Sequence, residues 1–93
     1  MYVLLQKYIN GEHGVSEDEQ VSYECSGTIT DILTAISSGV ERHLEDIKAD
    51  TFRVETYECI TVEYELRTAF SWKDYEKVRW YIIPINKTEI LLW

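Results

Sequence analysis

The alternation of apolar and polar residues predicts two strands at the start of the chain. Residues 1–9, MYVLLQKYI, carry apolar side chains on both faces of an extended chain, which is typical of a central strand. Residues 20–26, QVSYECS, alternate strictly, so Val21, Tyr23 and Cys25 are expected to share one half-buried face. Because Asn-Gly is a turn signal, residues 10–19 are predicted to form a loop about nine residues long within an antiparallel hairpin.

An amphipathic helix is predicted over residues 29–48. Its apolar residues fall within a stripe about 120° wide and stay in phase across Gly39. Thr28 and Asp31 resemble a capping box at the start of the helix. The stripe consists of Ile29, Ile32, Leu33, Ile36, Val40, Leu44 and Ile47. We expect the helix to pack on a sheet through Ile32, Leu33, Ile36, Val40 and Leu44.

Residues 51–70 read as extended chain, with apolar side chains at even positions and polar ones at odd positions. A straight strand of this length would run about 65 Å, which is too long for a domain of this size. The chain must therefore bend or turn, and Thr56 to Glu58 is the expected place, because polar residues interrupt the apolar face there. One bent strand and a tight hairpin both remain open.

The C-terminal third predicts a polar connector over residues 71–77 and a strand over residues 78–86. That strand is apolar on both faces after Arg79, so it should be central, and Pro84 should mark either an edge position or the end of the strand. A turn at residues 86–87 and a short last strand follow. The expected fold is α+β: one domain over residues 1–93, with an antiparallel sheet of about four to six strands, a single helix on one face, and the order β-β-α-β-β-β.

The formal net charge of −8 bears on which classes of partner are expected. Nucleic-acid-binding domains usually carry a basic patch, and anionic membranes attract basic segments, so neither is an expected partner. A basic protein is the expected partner, because a negative field steers association with a positive surface. Gln6 and Lys7 follow Met1 too closely for an apolar secretory region, so we expect a cytoplasmic protein of a bacterial host, with Cys25 and Cys59 as free thiols.

No motif indicates catalysis or a bound metal. The chain contains no Gly-x-Ser-x-Gly element and no Cys-x-x-Cys pair, and the segment NGEHG, with its two glycines, is acidic and would repel phosphate. His43 lies at the border of the apolar helix stripe, without a sequence partner for acid–base chemistry. We therefore expect no enzymatic activity, no cofactor and no metal.

Three groups of carboxylates are the candidate binding residues. Two lie four apart on the helix, two lie two apart on one strand face, and two lie in the connector. Large rings in a polar connector are typical of interface anchors. The candidate residues are Glu41 and Glu45, Glu63 and Glu65, Asp74 and Glu76, with Trp72 and Tyr75 as the aromatic anchors.

A short, acidic, aromatic-rich chain without motifs resembles, in type only, small stoichiometric inhibitors that present carboxylates where phosphates would lie. Phage and mobile-element antagonists of bacterial defence enzymes, of anti-CRISPR or anti-restriction type, have this character. An immunity protein that neutralises a nuclease toxin is an alternative. A further alternative is a structural subunit that forms a homodimer through the open sheet face or the segment EILLW.

Overall fold

The computed structural model describes residues 1–12, 16–67 and 74–85, and it confirms the α+β fold and the predicted order of elements. The described chain forms a five-stranded antiparallel sheet with one helix. The elements are β1 (Tyr2–Glu12), β2 (Ser16–Gly27), α1 (Ile29–Arg42), β3 (Ile47–Thr56), β4 (Ile60–Leu66) and β5 (Asp74–Pro84).

The strand order is β2-β1-β5-β4-β3, so both strands predicted to be central are interior strands. β5 lies in the middle and pairs with β1 along its whole length, from Tyr2 opposite Pro84 to Glu12 opposite Asp74. β5 also ends at Pro84, as predicted. All three interior strands, β1, β5 and β4, place apolar side chains on the face that packs against the helix, and their other face also carries charged residues.

The first hairpin differs from the predicted one, because β1 continues through Asn10 and Gly11. Each of these residues has a register partner on both sides: Asn10 lies between Asp18 and Glu76, and Gly11 lies between Glu17 and Tyr75. Backbone pairing with β2 on one side and β5 on the other outweighs the preference of the Asn-Gly sequence for a turn. The predicted loop of nine residues is thus mostly strand, and residues 13–15 lie outside the described chain.

A bulge in β2 overturns the prediction that Val21, Tyr23 and Cys25 share a half-buried face. Leu4 lies opposite Cys25, whereas Leu5 lies opposite Tyr23, so the residue between them is an extra one. Cys25 therefore lies with Leu4 on the face of the sheet that α1 covers, which we call the helix-side face. Val21 and Tyr23 lie on the other face, where they are 59% and 62% exposed.

The helix is shorter than predicted, ending at Arg42 and not at residue 48. His43 caps it, and a turn over residues 43–46 leads into β3, where Ile47 pairs with Leu66. The spacing of Ile47 from the other apolar residues favoured a helical position, but in the structure Ile47 belongs to β3 because it pairs with Leu66 in the sheet. The predicted capping box is present: Asp31 donates its backbone N–H to Thr28 Oγ1, and its carboxylate accepts from the Thr28 backbone N–H.

The buried side of α1 is narrower than the apolar stripe. Ile32 and Ile36 are buried, while Leu33 is 52% exposed and Leu44 is 66% exposed, so the predicted packing of these two leucines is wrong. Gly39 sets the rotation of the helix, because a Cβ there would lie 2.6 Å from Cζ2 of Trp80. This close approach turns the Ile32–Ile36 side towards the sheet.

A hairpin joins β3 and β4, which settles the alternative left open by the sequence. β3 ends at Thr56 and β4 begins at Ile60, with the turn between them where the polar residues interrupt the pattern. β4 ends at Leu66, and residues 74–77 belong to β5 and not to a connector. Phe70, Trp72 and the predicted last strand lie outside the described residues.

The core lies between α1 and one face of the sheet. Trp80 Nε1 donates a 3.1 Å hydrogen bond to Tyr64 Oη, and Phe52 stacks on the Tyr64 ring with centroids 5.2 Å apart. The buried cluster consists of Leu4, Ile32, Ile36, Tyr64, Leu66, Val78, Trp80 and Ile82. α1 covers this helix-side face, and the opposite face of the sheet is called the open face below.

Candidate functional site

The open face places acidic and basic residues next to each other in rows that cross the sheet. Because neighbouring strands are about 4.8 Å apart, side chains in one row are within reach of one another. The strand register gives one row of Glu19, Ile9, Lys77, Glu65 and Lys48. The next row contains Val21, Lys7, Arg79, Glu63 and Arg53. Glutamates thus lie beside lysines or arginines in both rows, although Lys7 and Arg79 are neighbours of like charge.

The two candidate glutamates of β4 are both ion-paired. Glu63 accepts a 2.7 Å bond from Arg79 Nη2. Glu65 lies 3.8 Å from Lys77 Nζ and 3.9 Å from Lys48 Nζ. Both glutamates are half-buried and not fully exposed, as a freely accessible binding surface would require. Their charge is offset within the protein, because each carboxylate faces at least one cation.

Tyr81 and Lys7 extend this network across the open face. Arg79 Nη1 donates to Tyr81 Oη at 3.3 Å, and this bond together with Glu63 raises the pKa of Arg79. Lys7 Nζ lies 3.1 Å from Glu19, which raises the pKa of Lys7. These contacts connect charged and polar side chains across the open face.

A shallow depression crosses the open face beside β3. It has a volume of about 300 Å³. Its lining carries charges of both signs, so it offers no site selective for an anion or a cation. The lining residues are Asp50, Thr51, Arg53, Glu63, Glu65 and Lys77.

The open face carries equal numbers of acidic and basic residues by the strand register, so the excess negative charge of the described chain lies elsewhere. The register puts five glutamates and five lysines or arginines there: Glu17, Glu19, Glu55, Glu63 and Glu65, with Lys7, Lys48, Arg53, Lys77 and Arg79. Among the other described residues, eleven are acidic, and two, Arg42 and Arg67, are arginines, with no lysine. The excess of carboxylates therefore lies on the helix, in the turns and near the strand ends, with the exception of Asp50, which lines the depression beside β3.

Many of these carboxylates gather where β1 and β4 end and where β2, β3 and β5 begin. One row of the register contains Asp18, Asn10, Glu76, Leu66 and Ile47, so the turn before β3 lies at the same end as the hairpin. The acidic end, as we call it, consists of Glu12, Asp18, Glu45, Asp46, Asp74 and Glu76 from this excess, together with Glu17 of the open face. The described cation at this end is Arg67, whose backbone N–H bonds to the Asp46 carbonyl oxygen.

Two tyrosines on β1 and β5 contact this end. Tyr75 Oη donates to Glu17 Oε2, which lowers the pKa of Glu17 and raises that of Tyr75. Burial, together with the Glu76 carboxylate, raises the pKa of Tyr8. Tyr75 is half-buried on the open face and contacts Glu17 and Lys77.

Glu41 lies in the last turn of α1, whereas Glu45 lies in the turn after the helix and not on the helix as expected; both are exposed. A helix C-terminus carries a partial negative charge, so carboxylates there are unfavourable by a few tenths of a kcal/mol each, on the order of 0.3–1. Local stability therefore does not account for acidic residues at these positions.

The structure thus brings together one part of the predicted site. Glu45, Asp74 and Glu76 belong to the acidic end, and Glu41 lies one helical turn from it. Glu63 and Glu65 lie on the open face instead, and Trp72 lies outside the described residues.

Sequence reasoning missed the acidic residues of the first hairpin, because it assigned residues 10–19 to a loop. In the structure Glu12, Glu17, Asp18 and Glu19 are strand residues with fixed partners. The sequence feature that could have indicated these strand residues is the length of the stretches compatible with extended chain on either side of residues 13–15.

The described residues show no other chemical site. They contain no group of three or more His, Cys, Asp or Glu arranged to hold a metal ion. Cys25 and Cys59 are free thiols. No helix in the described ranges has the length and apolar character needed to cross a membrane.

Comparisons with models of known protein families, with curated proteins and with solved structures found no match to this chain.

Proposed function

We propose that the protein is a small acidic inhibitor that binds the nucleic-acid-binding surface of a basic protein. The observation that carries the proposal is the uneven distribution of charge. The open face is balanced, whereas the other described residues include eleven carboxylates and two arginines. A surface with an excess of carboxylates on a folded scaffold can occupy the place of nucleic-acid phosphates on a basic partner.

The acidic end supports this proposal because its carboxylates have an energetic cost in the free protein. Asp18 and Glu76 share one row with Asn10 between them, and Glu12 lies opposite Asp74 in the register. Like charges on neighbouring strands are destabilising. A basic partner that neutralises them would recover this free energy on binding.

The proposed partner is a nucleic-acid-handling enzyme of a bacterial host, and the protein would act in the cytoplasm as a phage or mobile-element antagonist of anti-CRISPR or anti-restriction type. The same chemistry would serve an immunity protein that neutralises a nuclease toxin. Direct nucleic-acid binding does not fit a net charge of −8. The proposal includes no catalysis and no cofactor.

The test compares two double charge reversals of equal size. Glu41→Lys with Glu45→Lys changes the acidic side of the helix end, and Glu55→Lys with Glu58→Lys changes the exposed β3–β4 hairpin. Proteins captured from a bacterial lysate are identified by mass spectrometry. Each is then assayed for cleavage of a DNA or RNA substrate with increasing amounts of the wild-type protein or of each variant.

The expected result is a captured nuclease whose cleavage is inhibited, with inhibition relieved by excess competitor nucleic acid and by added salt. The Glu41–Glu45 variant should inhibit at least about tenfold less well, and the Glu55–Glu58 variant should inhibit like wild type. Capture restricted to proteins that bind no nucleic acid, or equal inhibition by both variants, would contradict the proposal.

A structural subunit is the second candidate, favoured by exposed apolar side chains on the helix-side face of β3 and β4. Val54 is 60% exposed there, and Phe52 and Ile60 are also exposed. Apolar side chains grouped on one face are typical of association surfaces. A dimeric mass in light scattering that becomes monomeric in Val54→Lys would favour this candidate.

A further inference from the structure

The two edges of the sheet differ in how they are built. On β3, Lys48 lies opposite Glu65 and Arg53 lies opposite Glu63, so the edge strand carries extra residues between these pairs. Thr51 holds this irregular segment: its hydroxyl donates to the Lys48 carbonyl oxygen at 2.6 Å and accepts from the Glu65 N–H at 2.9 Å. Bulges of this kind prevent a further strand from pairing with the edge.

The β2 edge has no such interruption over its first eight residues. Ser16 to Tyr23 pair in unbroken register with Glu12 to Leu5, and the bulge comes only after Tyr23. None of the described strands pairs with the other side of β2. An edge strand of this length presents a row of backbone N–H and C=O groups, and no proline or lysine of β2 blocks it.

The side chains of this edge differ between its two halves. Glu17, Asp18 and Glu19 occupy the first half and are exposed. In the second half Val21 and Tyr23 lie side by side on the open face, 59% and 62% exposed. A strand added along this edge would have carboxylates beside both of its faces near Glu17 to Glu19. Near Val21 and Tyr23 it would have apolar side chains beside one face.

We infer that the β2 edge is a strand-addition site for an extended, basic segment of the partner protein. The inference rests on the proposed function and describes how the protein would contact its partner. Main-chain hydrogen bonds to the β2 edge would provide affinity, and the side chains of the edge would select the segment. An antiparallel segment would place apolar residues opposite Tyr23 and Val21 first, and basic residues opposite Glu19, Asp18 and Glu17 afterwards.

Charge complementarity selects this occupant over a second copy of the chain. β2 contains four carboxylates and neither lysine nor arginine. Two copies paired antiparallel about Val21 would place Asp18 of each opposite Glu24 of the other, and like charges in opposed positions are destabilising. A basic strand instead gains an attraction at each of these positions.

The probe is a synthetic octapeptide in which threonine and valine alternate over the first five residues and three lysines follow. A peptide with three glutamates in place of the lysines is the charge control. A third peptide, with proline as its middle residue, tests main-chain pairing. Amide hydrogen exchange of the protein is followed by NMR with each peptide at several salt concentrations.

Two matched variants locate the site. Val21→Lys and Val54→Lys replace the same residue type at nearly equal exposure, 59% and 60%, but on the two different edges of the sheet. Urea unfolding of both variants verifies that the fold is kept.

The expected result is slower exchange of β2 amides with the lysine peptide and no change with the glutamate or proline peptide. Val21→Lys should weaken binding of the lysine peptide by about tenfold, and Val54→Lys should leave it unchanged. Slower exchange in β3 alone, equal binding of lysine and glutamate peptides, or no protection of β2 would overturn the inference.

Two further outcomes separate this inference from the proposed function. If the Glu41–Glu45 variant loses inhibition while Val21→Lys inhibits fully, the proposed function stands and strand addition is overturned. A dimeric mass in light scattering that Val21→Lys reduces to 11.0 kDa would identify a second copy as the occupant and overturn the basic segment.

Discussion

Trp80 Nε1 donates a hydrogen bond of 3.1 Å to Tyr64 Oη, and both side chains are buried in the core. They come from adjacent strands, β5 and β4, one row apart in the register. Burial raises the pKa of Tyr64, so its hydroxyl stays neutral at physiological pH. The pair places a satisfied polar contact in the centre of an otherwise apolar core.

Tyr64→Phe should destabilise the fold by about 1–3 kcal/mol, because it leaves the buried indole N–H of Trp80 without this partner. Tyr57→Phe is the matched control, since Tyr57 is 90% exposed and its hydroxyl is solvated. Urea unfolding of the two variants gives the comparison. Free energies of unfolding that agree within about 0.5 kcal/mol would mean that the bond contributes nothing measurable.

Gly39→Ala should also be destabilising, although alanine favours helices. The gain in helix propensity is about 1 kcal/mol, but the new Cβ would lie 2.6 Å from Cζ2 and 2.7 Å from Cη2 of the rigid Trp80 ring. Overpacking of a core typically costs about 1–3 kcal/mol, so the clash should prevail. Ser38→Ala, at the exposed neighbouring position, should leave stability equal or slightly higher. A thermal midpoint for Gly39→Ala above that of wild type would contradict the close approach.

Glu63→Gln should lower stability by about 1 kcal/mol or less, because the ion pair with Arg79 is partly exposed and screened by solvent. Glu55→Gln is the control on the same face, since Glu55 makes no ion pair with the described residues. The difference between the variants should shrink as salt is raised. A difference that persists unchanged at high salt would show that the loss is one of packing and not of charge.

Tyr75→Phe should raise the pKa of Glu17 towards its usual value of 4.5, since the Tyr75 hydroxyl bond holds it lower. A carboxyl whose folded pKa is depressed contributes stability above its unfolded pKa and loses it as the pH falls through the folded pKa. The stabilisation is therefore present above about pH 4.5, and its pH dependence is confined to the region below that value. NMR titration of the Glu17 side chain measures it, with Tyr23→Phe as the control. An unchanged pKa in Tyr75→Phe would exclude the bond in solution.

The sequence predicted the number, order and central placement of the elements, because these follow from periodicity along the chain. It could not predict contacts between distant residues. The rotation of α1 depends on Gly39 meeting Trp80, and those residues are far apart in the chain. The bulge beside Tyr23 moves two side chains to the other face without any glycine or proline to signal it.

The candidate site was only partly predictable for the same reason. Glu63 and Glu65 share a strand face, as their spacing indicates, but spacing alone does not reveal that Arg79 and Lys77 lie opposite them. The acidic end depends on which strand ends meet, so it becomes visible only once Ile47 and Glu76 are known to lie in one row.

The pairing of β1 with β5 has a consequence for how the chain folds. These two strands are the most widely separated in sequence, yet they form the centre of the sheet, with Tyr2 opposite Pro84. The β1–β2 and β3–β4 hairpins can form locally, but no sheet joins them until β5 inserts between β1 and β4. Non-local pairing of this kind slows folding, so the edges of both hairpins stay unpaired during synthesis until β5 has left the ribosome.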